Sequence, residues 1–229
     1  MIFLKYETKF YMNNDLRTVG ENTYELIKKD IIFGILPPLK KLKLQELKKI
    51  YNASVSTLRE ILSRLTGDGF VFSEEQKGFY VSPVSKSDLI EIANLRILIE
   101  SHALKKSIQN TTPEWEGSLL AAHHKLNLYE QEMLDSEVKH RNNWKKYDSE
   151  FHQSLVKNCG SNNLIELHKL IFDKYLRYQL LILTFRGEGS IDEHKKLLDF
   201  TLEKNYSKAQ SVLKEHINNG IIHASKNFK

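Results

Sequence analysis

The spacing of apolar residues changes twice along this chain of 229 residues, and those changes limit the folds that it can adopt. Apolar residues recur at helical spacing up to about residue 67, alternate at a period of two between residues 70 and 83, and then return to helical spacing. Three short helices followed by a hairpin are typical of a winged helix-turn-helix domain. The rest of the chain predicts an antiparallel, all-helical bundle. We therefore expect a mainly α protein with two parts.

The N-terminal part is predicted to contain three helices and two strands. The segment TYELIKKDIIFGIL predicts the first helix. Its apolar face is expected to carry Leu26, Ile27, Ile31 and Ile35. LQELKKIY predicts a second helix, and a third runs from Ser54 to Thr66, with the hydroxyl of Ser54 or of Ser56 as its cap. FVFSEE and GFYVSP read as the two strands of the wing.

The remaining chain predicts six helices, with breaks at Gly160 and at the segment GEGS. We expect a flexible arm over residues 1–20, a winged helix-turn-helix domain over residues 21–84 and a helical domain over residues 85–229. No strand pattern interrupts the third of these segments.

Positive charge is concentrated in the N-terminal part. Residues 40–64 hold seven Lys or Arg and two Glu, a net charge of +5 on 25 residues. Residues 85–229 hold 21 basic and 19 acidic residues, only +2 on 145 residues. This distribution favours a polyanion such as double-stranded DNA as the partner of the N-terminal part.

Cysteine usage and hydropathy point to the cytoplasm. Cys159 is the only cysteine, so the chain can form no internal disulfide. No apolar run approaches the roughly 20 residues that a membrane helix needs, so no membrane partner is expected. Lys5, Glu7 and Lys9 interrupt the apolar start, which therefore lacks the pattern of a cleavable signal.

The third helix is the expected reader of DNA, since the second helix of a helix-turn-helix usually enters the major groove. Ser54, Ser56 and Thr57 lie at its N-terminus, where hydroxyls and backbone N–H groups can hold a phosphate or contact a base edge. Arg59 lies one turn further on and could form a bidentate contact with guanine. Lys77, at the tip of the hairpin, could reach a phosphate.

The segments IKKDIIFGILPP, STLREILSRLTGDGFV and QKGFYV resemble the N-terminal domain of GntR-family bacterial transcription regulators over residues 22–82. The residues of the second and third segments are similar to those in the branch of the carbon-starvation-induced regulator. The resemblance implies DNA contacts from Ser56, Arg59 and Lys77, the last of these in a wing turn with Gly78. Lys43 is a candidate phosphate contact from its position alone.

Three positions depart from the family pattern. Val55 stands where the family usually has an Arg, Gln45 stands at the position of a DNA-contacting Arg of the second helix, and Thr57 replaces a Pro. The family's usual operator half-site is therefore not carried over to this chain, although DNA binding is.

The helical part contains a candidate metal site. Asp148 and His152 are four residues apart in a predicted helix and so share a face. His194 and His216 lie in two later helices among apolar neighbours, and inward polar groups on different helices of a bundle can converge on one ion. One Asp and three neutral imidazoles suit zinc, nickel or another divalent transition metal.

The segments DLIEIANLRILIE, YDSEFHQSLVKNCGSNNL, EHKKLLDF and AQSVLKEHI resemble the FCD ligand domain of FadR-type regulators over residues 86–224. Many members hold a metal with Asp-x-x-x-His followed by two further His, which implies the ligand set Asp148, His152, His194 and His216. The resemblance also implies a small organic acid as effector beside the metal. Arg96 is the candidate partner of its carboxylate, and a salt bridge with Glu100 is the alternative role.

The expected function is a sequence-specific DNA-binding transcriptional regulator, with repression favoured, that acts as a homodimer and responds to a carboxylate effector. Two alternatives stay open. A metal-dependent hydrolase could use an open coordination position to activate water, although no general base such as an HExxH pattern accompanies the site. Alternatively, the histidines could hydrogen-bond a carboxylate directly, without a metal.

Overall fold

The computed structural model describes residues 19–181 and 185–226. Residues 1–18 of the predicted arm lie outside these ranges. The described residues form a mainly helical fold with a small sheet. In chain order the elements are α1 Val19–Ile32, β1 Lys41–Leu42, α2 Leu44–Tyr51, α3 Val55–Gly67, β2 Val71–Glu74, β3 Gly78–Val81, α4 Lys86–Gln109, α5 Pro113–Asp135, α6 Glu137–Val156, α7 Asn162–Leu181, α8 Glu188–Leu202 and α9 Tyr206–Ser225.

Helix α1 begins at Val19, two residues before the predicted domain boundary, and ends at Ile32. Its buried face carries Ile27 and Ile31, as predicted. The prediction was wrong for Leu26, which is 47% exposed, and for Ile35, which is 64% exposed. Ile35 lies beyond the end of the helix, so helical spacing no longer determines the direction of its side chain.

The helix-turn-helix and the wing have the expected order. Asn52 ends α2 in the left-handed conformation, with a φ of 50°, and this allows the tight turn into α3. The strands form one antiparallel sheet in the order β1-β3-β2. Strand β1 was not predicted, because two residues are too short for an alternating pattern.

Helices α4 to α9 form the predicted bundle of six helices within the described ranges. Its core is continuous and includes Trp115, Trp144 and Phe151. Helix α5 starts with Pro113 behind the Thr112 cap. None of the described helices is both long enough and apolar enough to cross a membrane.

Helix α7 joins the N-terminal part to the bundle. Phe172, Leu176 and Leu180 on this helix complete the hydrophobic core of the N-terminal part. Asp173 accepts a 2.5 Å hydrogen bond from Lys28 of α1, and both side chains are buried. The two parts therefore share a packed interface in addition to the short connection between β3 and α4.

We expect Asp173→Ala to lower the free energy of unfolding by about 3–5 kcal/mol, since it leaves the ammonium of Lys28 buried without its partner. The measurement is urea unfolding followed by circular dichroism. Glu150→Ala is the matched control, because it removes the more exposed Lys125–Glu150 pair and should cost about 1 kcal/mol or less. Equal losses in the two variants would contradict the structural role of the buried pair.

Candidate metal centre and DNA-binding face

The N-terminus of α3 is built around the hydroxyl of Ser54. This hydroxyl accepts a 3.1 Å hydrogen bond from the backbone N–H of Thr57, which is the expected cap. It also lies 2.8 Å from the hydroxyls of Ser56 and Thr57. Three hydroxyls thus cluster at a helix N-terminus, where the helix dipole favours a phosphate.

The outer face of α3 is polar and exposed. Ser56, Arg59, Glu60 and Ser63 all point to solvent, while Leu58, Ile61, Leu62 and Leu65 are buried. Residues at spacings of three and four share one face of a helix, so these polar side chains form one surface. This surface has the geometry that a helix in the major groove needs.

The other predicted DNA contacts are also exposed. Gln45 lies on the outer side of α2, and Gly78 lies at the tip of the wing with a φ of 99°. Lys43 pairs with Glu46 at 2.9 Å, and Lys77 pairs with Glu74 at 3.0 Å. Both pairs are exposed and weak, so a phosphate could replace either glutamate at small cost.

The four predicted metal ligands meet inside the bundle. Asp148 and His152 come from α6, His194 from α8 and His216 from α9. One ligand atom from each of the three histidines lies within 4.8 Å of the others. Oδ1 of Asp148 is 3.5 Å from Nε2 of His194 and 4.0 Å from Nε2 of His152. Ligands about 2.1 Å from one ion lie roughly 3–4 Å apart, so the group fits a metal after a small contraction.

The nitrogens that face this centre lack partners. Nε2 of His152, Nε2 of His194 and Oδ2 of Asp148 are buried without a hydrogen-bond partner among the described residues. Buried polar atoms normally have a partner, because desolvation without one costs about 1–3 kcal/mol. Nε2 of His152 and Nε2 of His194 both lie within 4.0 Å of Oδ1 of Asp148, and this is the arrangement expected of an ion site.

A glutamate holds the opposite nitrogen of each histidine. Nδ1 of His152 is 2.5 Å from Glu100, Nδ1 of His194 is 2.6 Å from Glu130, and Nδ1 of His216 is 2.9 Å from Glu193. A carboxylate behind a ligating imidazole fixes the ring orientation and leaves Nε2 available for the metal. These three glutamates were not predicted, because they lie on α4, α5 and α8 at no fixed sequence distance from their histidines.

The electrostatics of the centre favour metal binding. Burial alone would raise the pKa of Asp148, but Lys145 and the neighbouring histidines hold it well below its usual range. Burial lowers the pKa of His152 and that of His216. At neutral pH the centre therefore presents the carboxylate of Asp148 and the neutral imidazoles of His152 and His216, which are the protonation states that bind metals.

A small cavity lies against the centre. Its lining includes Lys145, Tyr175, Gln179 and Arg186 beside Asp148, His194 and His216, and its volume is about 20 Å³. Such a volume holds one water molecule or an ion. The ammonium of Lys145 donates to Gln179 at 2.9 Å, and burial lowers the pKa of Lys145 to about 8.

Sequence reasoning missed Lys145 and Arg186. Lys145 precedes Asp148 by three residues, and this helical spacing would have placed it on the ligand face of α6. Arg186 lies between α7 and α8, where no periodicity applies. It forms a two-armed ion pair with Glu193, which also holds His216.

Arg96 is completely buried beside the centre. Its Nε donates to Glu100 at 2.9 Å, as in the alternative role considered from the sequence. Its guanidinium carbon lies 4.5 Å from the ring centre of Phe172 and 4.6 Å from that of Tyr175. Both Nη atoms lack a hydrogen-bond partner among the described residues. His168 is also buried, and its Nε2 lies 3.3 Å from Oε2 of Glu100.

A winged helix-turn-helix joined to a helical bundle is an architecture typical of DNA-binding transcriptional regulators. Residues 20–81 match the family described as bacterial regulatory proteins, gntR family, and residues 91–219 match the FCD domain. The chain belongs to the gntR family and carries an FCD domain. It is a DNA-binding transcriptional regulator and not an enzyme, and the FCD domain implies small-molecule recognition.

Similar proteins and structures agree with this assignment. The chain is 30% identical over 200 residues to the HTH-type transcriptional repressor GlaR of Escherichia coli, covering 85% of this chain and 90% of that one. It is 29% identical over 209 residues to an uncharacterized HTH-type transcriptional regulator, BphR, of Paraburkholderia xenovorans, covering 90% and 85%. The structure of E. coli McbR/YncC has a TM-score of 0.78 at 18% identity, covering 93% of this chain and 100% of that one, and so shares the fold.

The stability of the metal-free protein is expected to fall as the pH drops from about 7 to about 5. The unfolded chain protonates His152 and His216 near pH 6.5, whereas burial lowers both pKa values in the folded chain. The unfolded chain therefore binds more protons in this window, and acid favours it. Carboxylates contribute mainly at lower pH.

The measurement is urea unfolding of chelator-treated protein at pH 5, 6 and 7, with His216→Gln beside the wild type. The variant should show a smaller slope of the free energy of unfolding against pH. His124→Gln is the control, because His124 is exposed. A slope unchanged in His216→Gln would show that this histidine is not buried in its neutral form.

Proposed function

We propose that this protein is an effector-controlled transcriptional repressor that acts in the cytoplasm as a homodimer. In this proposal residues 21–84 bind operator DNA, and residues 85–229 bind a divalent metal and a small carboxylate and form the dimer. The observation that carries it is the convergence of Asp148, His152, His194 and His216 in an FCD domain, with a glutamate behind each histidine. The E. coli relative named a repressor favours repression.

Asp148, His152, His194 and His216 would hold the metal, for which zinc and nickel are the best candidates. A mixed set of imidazoles and one carboxylate suits both ions. A bound divalent ion would supply a Lewis-acid position for an effector carboxylate. Its charge would also offset Asp148 and the surrounding glutamates, which are costly to bury as a group.

The proposed effector is a small carboxylate held beside the metal. Arg96 supports this proposal, since its unpartnered Nη atoms could form a bidentate contact with a carboxylate. Lys145 and Arg186 add positive charge to the cavity lining. The cavity of about 20 Å³ is too small for an organic acid, so effector binding in this proposal requires the lining to move.

The homodimer is proposed on the symmetry of DNA recognition. Two recognition helices related by a two-fold axis would read two half-sites of an operator. Helices α4 and α7 are neighbours and carry exposed apolar side chains at Leu95, Leu98 and Leu167. Such side chains would be covered if this side of the bundle formed the dimer contact.

The proposed DNA contacts are divided between bases and phosphates. Arg59 and Ser56 would contact base edges from the exposed face of α3, and Ser54, Thr57, Lys43, Gln45, Lys77 and Gly78 would position the backbone. Val55 lies partly buried in the first turn of α3, where the family usually has an Arg. The proposed operator therefore differs from the family's usual half-site at the position that the family's Arg would contact.

Metal content tests the metal proposal. The purified wild-type protein should contain about one zinc, nickel or similar ion per chain by mass spectrometry. His194→Ala should lose this ion, because it removes one of the four ligands. His124→Ala should retain it. Absence of metal in the wild type, even after incubation with zinc and nickel, would favour histidines that bind a carboxylate directly.

Arg59→Ala should weaken binding to the cognate operator by about 1–3 kcal/mol and relax the base preference at one position. The operator can be obtained by selection from random duplexes, and affinity can be measured by gel shift at fixed salt. Lys195→Ala is the matched control, because it removes an exposed cation on α8, far from α3 in sequence and fold. Wild-type affinity in Arg59→Ala would show that the recognition face is assigned incorrectly.

A further inference from the structure

Helix α7 faces the DNA-binding domain on one side and the metal centre on an adjoining side. Phe172 and Leu176 lie in the core of the DNA-binding domain, and Asp173 pairs with Lys28 of α1. On the adjoining side of the helix, Tyr175 and Gln179 line the cavity beside Asp148, His194 and His216. A shift of α7 would therefore change the packing both in the core of the DNA-binding domain and at the cavity beside the metal centre.

A continuous set of buried contacts joins a metal ligand to the core of the DNA-binding domain. Nδ1 of His152 is 2.5 Å from Oε1 of Glu100, and Oε2 of Glu100 accepts from Nε of Arg96 at 2.9 Å. The guanidinium of Arg96 then lies against the rings of Phe172 and Tyr175, with its carbon 4.5 Å and 4.6 Å from the ring centres. All five side chains are 1% exposed or less.

Glu100, in the middle of this set, has partners for both carboxylate oxygens, whereas the outer end of Arg96 lacks hydrogen-bond partners among the described residues. Glu100 uses both oxygens, so the direction of its carboxylate depends on His152 and on Arg96 together. Both Nη atoms of Arg96 lack partners among the described residues, so the stack on Phe172 and Tyr175 is the main restraint on its outer end. A plane of five N–H donors between two rings is a contact that lysine cannot reproduce.

The residues around the cavity limit the direction in which Tyr175 can move. Gly220 of α9 faces the hydroxyl of Tyr175, and a Cβ at Gly220 would overlap that hydroxyl. Tyr175 therefore has no room to move toward α9 when the cavity of about 20 Å³ fills. Close-packed interiors transmit strain, so a displacement of Tyr175 by an occupant of the cavity would be passed to α7.

We propose that the contact of Arg96 with Phe172, held by Glu100, couples occupation of the metal centre to the docking of the DNA-binding domain on α7. The proposal rests on the proposed function, because it requires an ion to bind at Asp148, His152, His194 and His216. Arg96 and Glu100 are positioning residues in this role. An ion that fixes the position of His152 also fixes Glu100 and Arg96. It thereby strengthens the packing of Phe172 in the core of the DNA-binding domain.

The test is amide hydrogen exchange of the full chain with and without saturating Zn²⁺. Zinc affinity is measured separately by competition with a chromophoric chelator. In the wild type, zinc should slow amide exchange in α1, which packs against α7, by at least about fivefold. This factor is the low end of the usual coupling between two sites. Arg96→Lys keeps the charge beside Glu100 but removes the planar stack. It should bind zinc and show less than about a twofold change in α1.

A second measurement uses the reciprocity of coupling. Asp173→Asn loosens the docking of α1 without touching Arg96 or a metal ligand, so it should raise the dissociation constant for Zn²⁺ by at least about fivefold. Glu150→Gln, which removes a more exposed pair in the bundle, is the matched control and should leave zinc affinity unchanged.

The outcomes separate this inference from the proposal on which it rests. A wild type that binds no zinc would overturn both. Zinc binding without any change of exchange in α1, or with the same change in Arg96→Lys, would overturn the coupling alone. Unchanged zinc affinity in Asp173→Asn would also overturn it, and this arm holds even if Arg96→Lys fails to fold.

Discussion

Helix α7 completes two hydrophobic cores, and the placement of the DNA-binding domain on the bundle depends on this double use. Phe172 and Leu176 belong to the core with α1 and α3, whereas Ile171 and Tyr175 belong to the core of the bundle. Successive residues of a helix point about 100° apart, so neighbours such as Ile171 and Phe172 can face different cores. The consequence is a helix that is buried nearly all round from Ile171 to Leu180, whereas its first turns are largely exposed.

The interior of the bundle is unusually charged for a protein core. Arg96, Glu100, Glu130, Lys145 and Asp148 are all at most 1% exposed. Burying charges costs several kcal/mol per ion unless opposite charges and hydrogen bonds compensate, so such a group is a poor choice for stability alone. A site that must recognise ions or carboxylates gives a reason for it, and the position of this site in an FCD domain is consistent with that reason.

The exposed face of α3 and the polar centre of the bundle depend on different parts of the fold for their geometry. The proposed DNA-binding face consists of exposed side chains such as Ser56 and Arg59 on a helix whose other side is buried, and its geometry follows from one helix. The cluster of Asp148, His152, His194 and His216 is assembled from α6, α8 and α9, and its geometry depends on the packing of the whole bundle.

The sequence alone determined the order of the helices and of the two strands of the wing, and the division into a winged helix-turn-helix and a helical bundle, and it predicted the four residues proposed as metal ligands. These properties depend on periodicity, on helix caps such as Ser54 and on motif spacing, all of which are local along the chain. The same reasoning assigned Leu26 and Ile35 to a buried face, and it was wrong because helical spacing does not say where a helix ends or what covers it.

Only the tertiary structure decided the surroundings of the centre. Glu130 reaches His194 across 64 positions, and Glu100 reaches His152 across 52, so no local pattern could pair them. It also decided that Arg96 is stacked on Phe172, because that contact arises from the packing of α4 on α7. Local forces specify the helices, whereas partners distant in sequence are specified by the way in which the helices fill space.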